Sequence, residues 1–259
     1  MNRRTVILLG ASNLTIGWRP LLLALRSTVD EPIDLHVATG MGRSYCDWSS
    51  FWFRRLQAIT ACGLWAHLDS TRDLQASPDE APLVLLTDVG NDIVYGQTPE
   101  TIAQHVEECI TRILAWRPAA RIVMTGLPMV SVSAITRTQF LIARSILFPF
   151  CFLSLDTIQR RSSELDEAVR SLAARFSIPV VTPERHWYSH DPIHVLKDLR
   201  QNVFKLYLSN WRLPIVTRHE LSREAVPALP AAALSTRFRF PIRKAQPSFE
   251  SQQMTISVW

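Results

Sequence analysis

Five short apolar runs, separated by longer segments with helical periodicity, are the feature that most limits how this chain can fold. The runs are TVILLG (5–10), IDLHVATG (33–40), APLVLL (81–86), ARIVMTG (120–126) and IPVVTP (178–183). Runs that are apolar at nearly every position are typical of strands buried on both faces. Since strands that alternate with helices form right-handed crossovers, the sequence predicts an α/β fold with a five-stranded parallel sheet between two layers of helices.

Five segments are predicted to be helices from their apolar spacing: 18–27, 47–59, 98–118, 162–177 and 197–211. In the second of these, Asp47 is the expected N-cap. Its aromatic residues Trp48, Phe51 and Trp52 have helical spacing, so they are expected to face the core. No internal repeat is visible.

Two segments do not follow the alternation of strands and helices. Residues 129–157 are apolar without clear periodicity, and they fit a lid, a pocket wall, packed core or an oligomer contact equally well. Residues 213–259 are rich in Pro, Ala, Ser and Arg and lack a core pattern, so we expect a poorly ordered C-terminal extension. The sequence therefore predicts one catalytic or binding domain over residues 1–212, followed by this tail.

Composition excludes several classes of protein. The formal net charge is +5 over 259 residues, and no stripe of Lys and Arg indicates nucleic-acid binding. The cysteines form no CxxC pair and are expected to be buried free thiols: Cys46, Cys62, Cys109 and Cys151. The first strand begins too early for a signal peptide, and no apolar stretch reaches the roughly 20 residues of a membrane span, so a cytoplasmic protein is expected.

Polar residues and glycines stand where four of the predicted strands end. Ser12 follows the first strand, Gly42 the second and Asn91 the third. Asp191 and His194 follow the fifth. Because ligands bind beyond the carboxyl ends of parallel strands, we expect these side chains to meet at one edge of the sheet.

This set of residues suits acyl transfer. A serine hydroxyl is a weak nucleophile that needs a base such as histidine, and the histidine needs a carboxylate to fix its tautomer. Backbone N–H groups beside glycine and an asparagine amide can stabilise the oxygen of a tetrahedral intermediate. The sequence thus contains candidates for every role in a serine hydrolase.

Four blocks carry these residues: GAS (10–12), GMGRS (40–44), GND (90–92) and DPIH (191–194). Their order resembles that of the SGNH hydrolases, also called GDSL esterases or lipases, over roughly residues 4–211. The first block departs from the family pattern, because Ala11 stands where an aspartate is usual.

The resemblance implies a flavodoxin-like sheet in the order 2-1-3-4-5. It also implies Ser12 as nucleophile, His194 as base and Asp191 as the carboxylate that orients it. The oxyanion hole would consist of the N–H groups of Ser12 and Gly42 and the side chain of Asn91. No cofactor or metal is implied, and the expected partner is a small-molecule ester or acyl substrate, with no indication of oligomeric state.

The sequence leaves other interpretations of single residues open. Ser12 alone would usually be a helix cap. His186, His190 and His194 are spaced four apart, as metal ligands on a helix could be, although Pro192 disfavours a helix there. Arg43 could bind an acidic group of a substrate, but a solvated or salt-bridged arginine is more common.

The leading functional hypothesis is an SGNH-type esterase that forms an acyl-enzyme on Ser12. The near alternative is an acyltransferase that uses the same triad. An alternative of another class is a catalytically silent domain that binds a ligand or a protein, which a serine-reactive fluorophosphonate would leave unmodified at Ser12. Asp88, close to Asn91 in the sequence, is expected to bond to nearby loop N–H groups in a structural role.

Overall fold

The structure is a computed structural model that describes residues 3–72, 81–148, 151–214, 226–237 and 240–259. The strands in these residues are β1 (Arg4–Leu9), β2 (Ile33–Ala38), β3 (Ser49–Phe51), β4 (Arg54–Leu56), β5 (Leu83–Leu86), β6 (Arg121–Thr125), β7 (Val180–Val181), β8 (Leu234–Arg237), β9 (Phe240–Arg243), β10 (Phe249–Glu250) and β11 (Met254–Val258). The α-helices are α1 (Ser12–Ile16), α2 (Trp18–Thr28), α3 (Leu64–Ser70), α4 (Asn91–Val94), α5 (Pro99–Trp116), α6 (Met129–Ser133), α7 (Arg137–Leu147), α8 (Leu155–Arg175) and α9 (Arg200–Ser209).

The central sheet is mostly parallel and has the order β10-β11-β2-β1-β5-β6-β7 among the described strands. Pairing is parallel throughout except between β10 and β11. The predicted α/β class is confirmed. The predicted total of five strands is wrong, because the expected strands lie side by side in the expected order but two further strands extend the sheet beyond β2.

Helices cover both faces of this sheet, and β1 shows how the core is divided between them. Val6 and Leu8 pack with side chains of α2 and α9. Ile7 and Leu9 point the other way and pack with side chains of α3, α5 and α8. Because successive strand residues face opposite sides, a strand buried on both faces must be apolar at every position.

The C-terminal segment contributes to the central sheet, where the sequence predicted a poorly ordered extension. β11 pairs in parallel with β2, and all five of its residues are buried. The tail also supplies β8 and β9, which join β3 and β4 in a second, antiparallel sheet with the order β3-β4-β8-β9. The part of the tail at 215–225 and 238–239 lies outside the described residues.

The predicted helix over residues 47–59 is wrong. This segment forms the hairpin of β3 and β4, with Phe51 paired to Arg54, followed by a short 3₁₀ helix at Ile59–Ala61. Trp48 and Trp52 are exposed rather than packed in the core. Helical spacing was outweighed here by pairing of β4 with β8, a strand about 180 residues further along the chain.

All four cysteines are free and buried, as predicted. None of the helices in the described part of the chain is long and apolar enough to cross a membrane.

Candidate active site

Ser12 is buried at the carboxyl end of β1, as the first residue of α1. Gly10 makes this tight turn possible, because a Cβ there would lie 2.6 Å from Cγ2 of Thr87. The N-cap of α1 is Ala11, and no side chain caps this helix. The interpretation of Ser12 as a helix cap is therefore wrong, and its hydroxyl is available for other contacts.

Ser12, His194 and Asp191 form a continuous hydrogen-bonded chain. Nε2 of His194 lies 2.8 Å from Oγ of Ser12, and Nδ1 lies 2.6 Å from Oδ2 of Asp191. A carboxylate can only accept, so Nδ1 carries the proton and donates it to Asp191. Nε2 is then the acceptor that faces the serine hydroxyl, as a general base requires.

The loop around Asp191 stabilises its ionised form. Burial raises the pKa of this carboxyl, but the hydrogen bond and charge of His194, together with two backbone hydrogen bonds, outweigh burial and lower the pKa below its ordinary value. The backbone N–H groups of Ile193 and His194 also donate to Oδ1, each at 3.1 Å. Asp191 is therefore fixed as an anion beside the imidazole.

Asp88 supports the serine turn from the neighbouring strand. Its Oδ2 accepts from the N–H groups of Ala11, at 2.9 Å, and Asn13, at 3.1 Å. Asp88 itself has a φ of 60°, a left-handed conformation that is uncommon for residues other than glycine. The expected structural role of Asp88 is confirmed, and its carboxylate lies against the loop in which Ala11 replaces the usual aspartate.

Asn13 joins the serine turn to the histidine loop, a link that the sequence reasoning missed. Its Nδ2 donates to Oδ1 of Asp88 at 2.8 Å and to the carbonyl of Ile193 at 2.9 Å. Its Oδ1 accepts from the N–H of Val195 at 3.1 Å. Asn13 therefore bonds to the residues on both sides of His194. The sequence feature that could have indicated this link is the polar residue directly after Ser12.

We predict that Asn13→Ala lowers kcat roughly 10- to 100-fold, because small errors in the position of the base are costly. KM should change little, since the side-chain hydrogen bonds of Asn13 position the loop of His194 and are not needed to bind substrate. Steady-state kinetics on the best ester would measure both, with Asn202→Ala on the exposed face of α9 as control. An unchanged kcat in a folded Asn13→Ala protein would remove this positioning role.

The three candidate oxyanion donors follow the adjacent strands β1, β2 and β5. Ser12 begins α1, Asn91 begins α4, and Gly42 lies in the loop after β2. Within the described residues the N–H groups of Ser12 and Gly42 have no acceptor. Gly42 has a φ of +62°, and a Cβ there would lie 2.8 Å from Oη of Tyr95, which donates to the Gly42 carbonyl at 2.6 Å. The Asn91 side chain donates to the carbonyl of Arg43 at 3.5 Å, so it lies beside the glycine loop.

Asp92 connects the GND block to the loop that follows β2. It is fully buried and accepts hydrogen bonds from the Ser44 hydroxyl and from the N–H groups of Tyr45, at 2.9 Å, and Cys46, at 3.2 Å. Burial raises the pKa of Asp92, while these hydrogen bonds act in the opposite direction. The last residue of the GND block thus anchors the loop that carries Gly42.

Arg43 is buried and faces away from solvent. Neither the substrate contact nor the solvated or salt-bridged side chain considered from the sequence is observed. Its guanidinium donates to the main-chain oxygens of Thr39, at 3.2 Å, Gln57, at 3.1 Å, and Trp259. It therefore connects the loop after β2 with the end of β11.

The three spaced histidines do not share a helix. His186 pairs with Glu184 at 3.3 Å, and both ring nitrogens of His194 are engaged by Ser12 and Asp191. Across the described residues no group of three or more His, Cys, Asp or Glu side chains is arranged to hold a metal ion.

A cavity of about 540 Å³ opens beside Ser12 and Asn91. The segment over 129–157, which the sequence left undecided, supplies much of its wall, with largely apolar side chains: Val132, Ile135, Phe140, Ile142, Phe148, Cys151 and Leu155. Gly42 is not among the described residues that line it. A wider cavity of about 920 Å³ adjoins it past Tyr188 and His190 and extends to Arg185 and His186.

No family model matches the chain, and no curated protein matches it. Among solved structures 42 chains match. The inhibitor-bound aryl esterase of M. smegmatis is 15% identical, with a TM-score of 0.51 over 80% of this chain and 98% of that chain. TesA is 16% identical, with a TM-score of 0.47 over 82% and 99%. A lipolytic protein of the G-D-S-L family from Veillonella parvula DSM 2008 is 11% identical, with a TM-score of 0.45 over 79% and 95%.

These similarities are too distant to show more than the fold. The chain shares its fold with the aryl esterase of M. smegmatis, in agreement with the fold that the resemblance of the four blocks implies.

Proposed function

We propose that this protein is a serine hydrolase that cleaves carboxylic esters through an acyl-enzyme on Ser12. The observation that carries the proposal is the hydrogen-bonded chain from Ser12 through His194 to Asp191, at 2.8 Å and 2.6 Å. A nucleophile, a base and an orienting carboxylate in this geometry are what acyl transfer requires.

The reaction begins when Oγ of Ser12 attacks the ester carbonyl carbon and its proton passes to Nε2 of His194. The imidazolium that forms is stabilised by the anionic Asp191. As the tetrahedral intermediate collapses, Nε2 returns the proton to the leaving alcohol oxygen and an acyl-serine remains. Water then attacks the acyl-serine with His194 again as base, which releases the carboxylic acid and regenerates Ser12.

The negative charge on the intermediate's oxygen needs fixed donors. The N–H groups of Ser12 and Gly42 and the amide of Asn91 are the proposed set. The lack of competing acceptors for the two N–H groups in the described part of the chain supports this role. Donors held in place before the reaction need no reorganisation when the charge develops.

The cavity beside Ser12 supports an ester with an apolar substituent. Phe140, Ile142 and Phe148 contribute to its wall, and a methylene group buried against such residues gains roughly 0.8 kcal/mol. We expect p-nitrophenyl esters of increasing acyl length, from acetate to dodecanoate, to be hydrolysed, with kcat/KM rising beyond acetate. Absence of turnover on every ester by a folded protein would contradict the proposed function.

We predict that Asn91→Ala lowers kcat roughly 10²–10³-fold, the usual effect of losing one oxyanion donor. KM should change much less, because the oxyanion carries full charge only near the transition state. The measurement is kcat and KM on the best ester, with Asn210→Ala at the end of α9 as control. A raised KM with normal kcat would assign Asn91 to ground-state binding instead.

A further inference from the structure

The two hairpins of the small antiparallel sheet turn at the same end of that sheet. The first hairpin closes after the pair Phe51 and Arg54, and the second closes after the pair Arg237 and Phe240. Arg54 is itself paired with Arg237 across β4 and β8. The register therefore brings the residues beside both turns to one edge of the molecule, which we call the hairpin end: Trp52, Phe53, Arg54, Arg237 and Phe240.

The aromatic side chains of the hairpin end are exposed. Trp52, Phe53 and Phe240 expose 74%, 59% and 75% of their surface. Trp52 also has a φ of 55°, a left-handed conformation that is a strained outlier for so bulky a residue. Trp52 packs against the rings of Phe51 and Phe53, so these aromatic side chains form one exposed group outside the core.

Positive charge lies directly behind these aromatic side chains. Arg54, Arg55 and Arg237 are exposed, as are Arg243 and Lys244 at the far end of β9. Neither 48–57 nor 234–244 contains an aspartate or glutamate. Because a strand rises about 3.4 Å per residue, Arg54 stands only one residue behind Phe53. Arg237 is paired with Phe240 and lies level with it.

We propose that the hairpin end docks on an anionic lipid surface. Tryptophan and phenylalanine bind in the boundary between headgroups and acyl chains, and arginines behind them would lie level with the lipid phosphates. Each cation near such a surface adds an electrostatic attraction, and added salt weakens this attraction. The positive charge of the hairpin end complements the anionic headgroups, and its exposed aromatic side chains complement the boundary with the acyl chains.

The hairpin end is connected to the candidate active site. A Cβ on Gly42 would lie 3.8 Å from Cδ2 of Phe51, the last residue of β3. The same Cβ would lie 3.8 Å from Cε1 of Phe148, which lines the cavity beside Ser12. Docking would therefore hold this side of the cavity close to the lipid. The proposal does not depend on the proposed esterase activity, since membrane binding is measured without turnover.

The test is co-sedimentation of the full chain with vesicles of phosphatidylcholine and phosphatidylglycerol at 7:3, compared with pure phosphatidylcholine. We expect binding to the anionic vesicles that weakens with added salt. Trp52→Asn with Phe53→Ser should weaken binding at least roughly tenfold, since each aromatic side chain loses apolar burial. Asparagine tolerates the left-handed turn, so this variant should keep the fold.

Arg54→Gln with Arg55→Gln should weaken binding roughly 25-fold, or about fivefold for each cation. Lys197→Gln with Lys205→Gln is the matched charge control, and Phe152→Ser, at 89% exposure, is the aromatic control. Both controls should bind like the original protein.

Three results would overturn the proposal: no binding to anionic vesicles at low salt, equal binding by the hairpin-end variants and the controls, or binding only to a single-stranded oligonucleotide. A self-association that both hairpin-end variants abolish, without vesicle binding, would instead identify a second copy of the chain as the partner. Circular dichroism spectra matching that of the original protein would confirm that the variants are folded.

Discussion

Ser12→Ala should lower kcat for ester hydrolysis by roughly 10⁴- to 10⁶-fold, the range found when a triad nucleophile is removed. No other hydroxyl is placed to replace it among the described contacts of His194, whose Nε2 faces Oγ of Ser12 at 2.8 Å. The fold should be unaffected, because the side chain caps no helix. Substrate binding should persist, so the loss appears in kcat.

Kinetics on the best p-nitrophenyl ester would measure this effect. Ser27→Ala, which removes a hydroxyl that donates to the carbonyl of Ala24 on α2, is the matched control. An Ser12→Ala protein with normal circular dichroism and substantial kcat would contradict the mechanism.

Removal of residues 254–259 should unfold the protein or leave it insoluble. Met254, Ile256 and Val258 are at most 2% exposed, and burial of each contributes roughly 1.5–3 kcal/mol. The sum is comparable with the roughly 5–15 kcal/mol stability of a whole domain. The deletion also exposes the edge of β2 and removes an acceptor of the buried Arg43 guanidinium.

A single substitution in β11 tests the contribution of this strand to stability in a protein that still folds. Ile256→Ala should lower the free energy of unfolding by about 2–5 kcal/mol, measured by urea denaturation. Leu206→Ala on the partly exposed face of α9 should cost far less. A shortened chain that unfolds at the same temperature as the full chain would show that β11 is not part of the core.

The sequence predicted the inner strands because their apolar runs report burial directly. It did not predict β11, since five residues of a tail rich in Pro and Ala become a strand only by pairing with β2, more than 200 residues away. The β3–β4 hairpin was missed for the same reason, because its partner β8 lies in that tail. Patterns within one segment cannot report pairing between distant segments.

The motif blocks placed Ser12, Asp191 and His194 in one expected site, and the structure brings these side chains together. The residues that hold these side chains in position were less predictable. Asp88 and Asn13 act through hydrogen bonds to backbone groups, which leave no periodic trace in the sequence. Asp88 lies 76 residues after Ser12 but contacts its turn through the adjacency of β1 and β5.

Fluorophosphonate labelling tests the central claim most directly, because it requires a serine activated by its neighbours and does not require knowledge of the substrate. The original protein, treated with a fluorophosphonate and digested, should give one phosphonylated peptide with the adduct on Ser12. His194→Ala should react far more slowly, since no base would then deprotonate the hydroxyl. A folded protein that stays unlabelled at Ser12, or that is labelled only elsewhere, would contradict the proposed catalytic site.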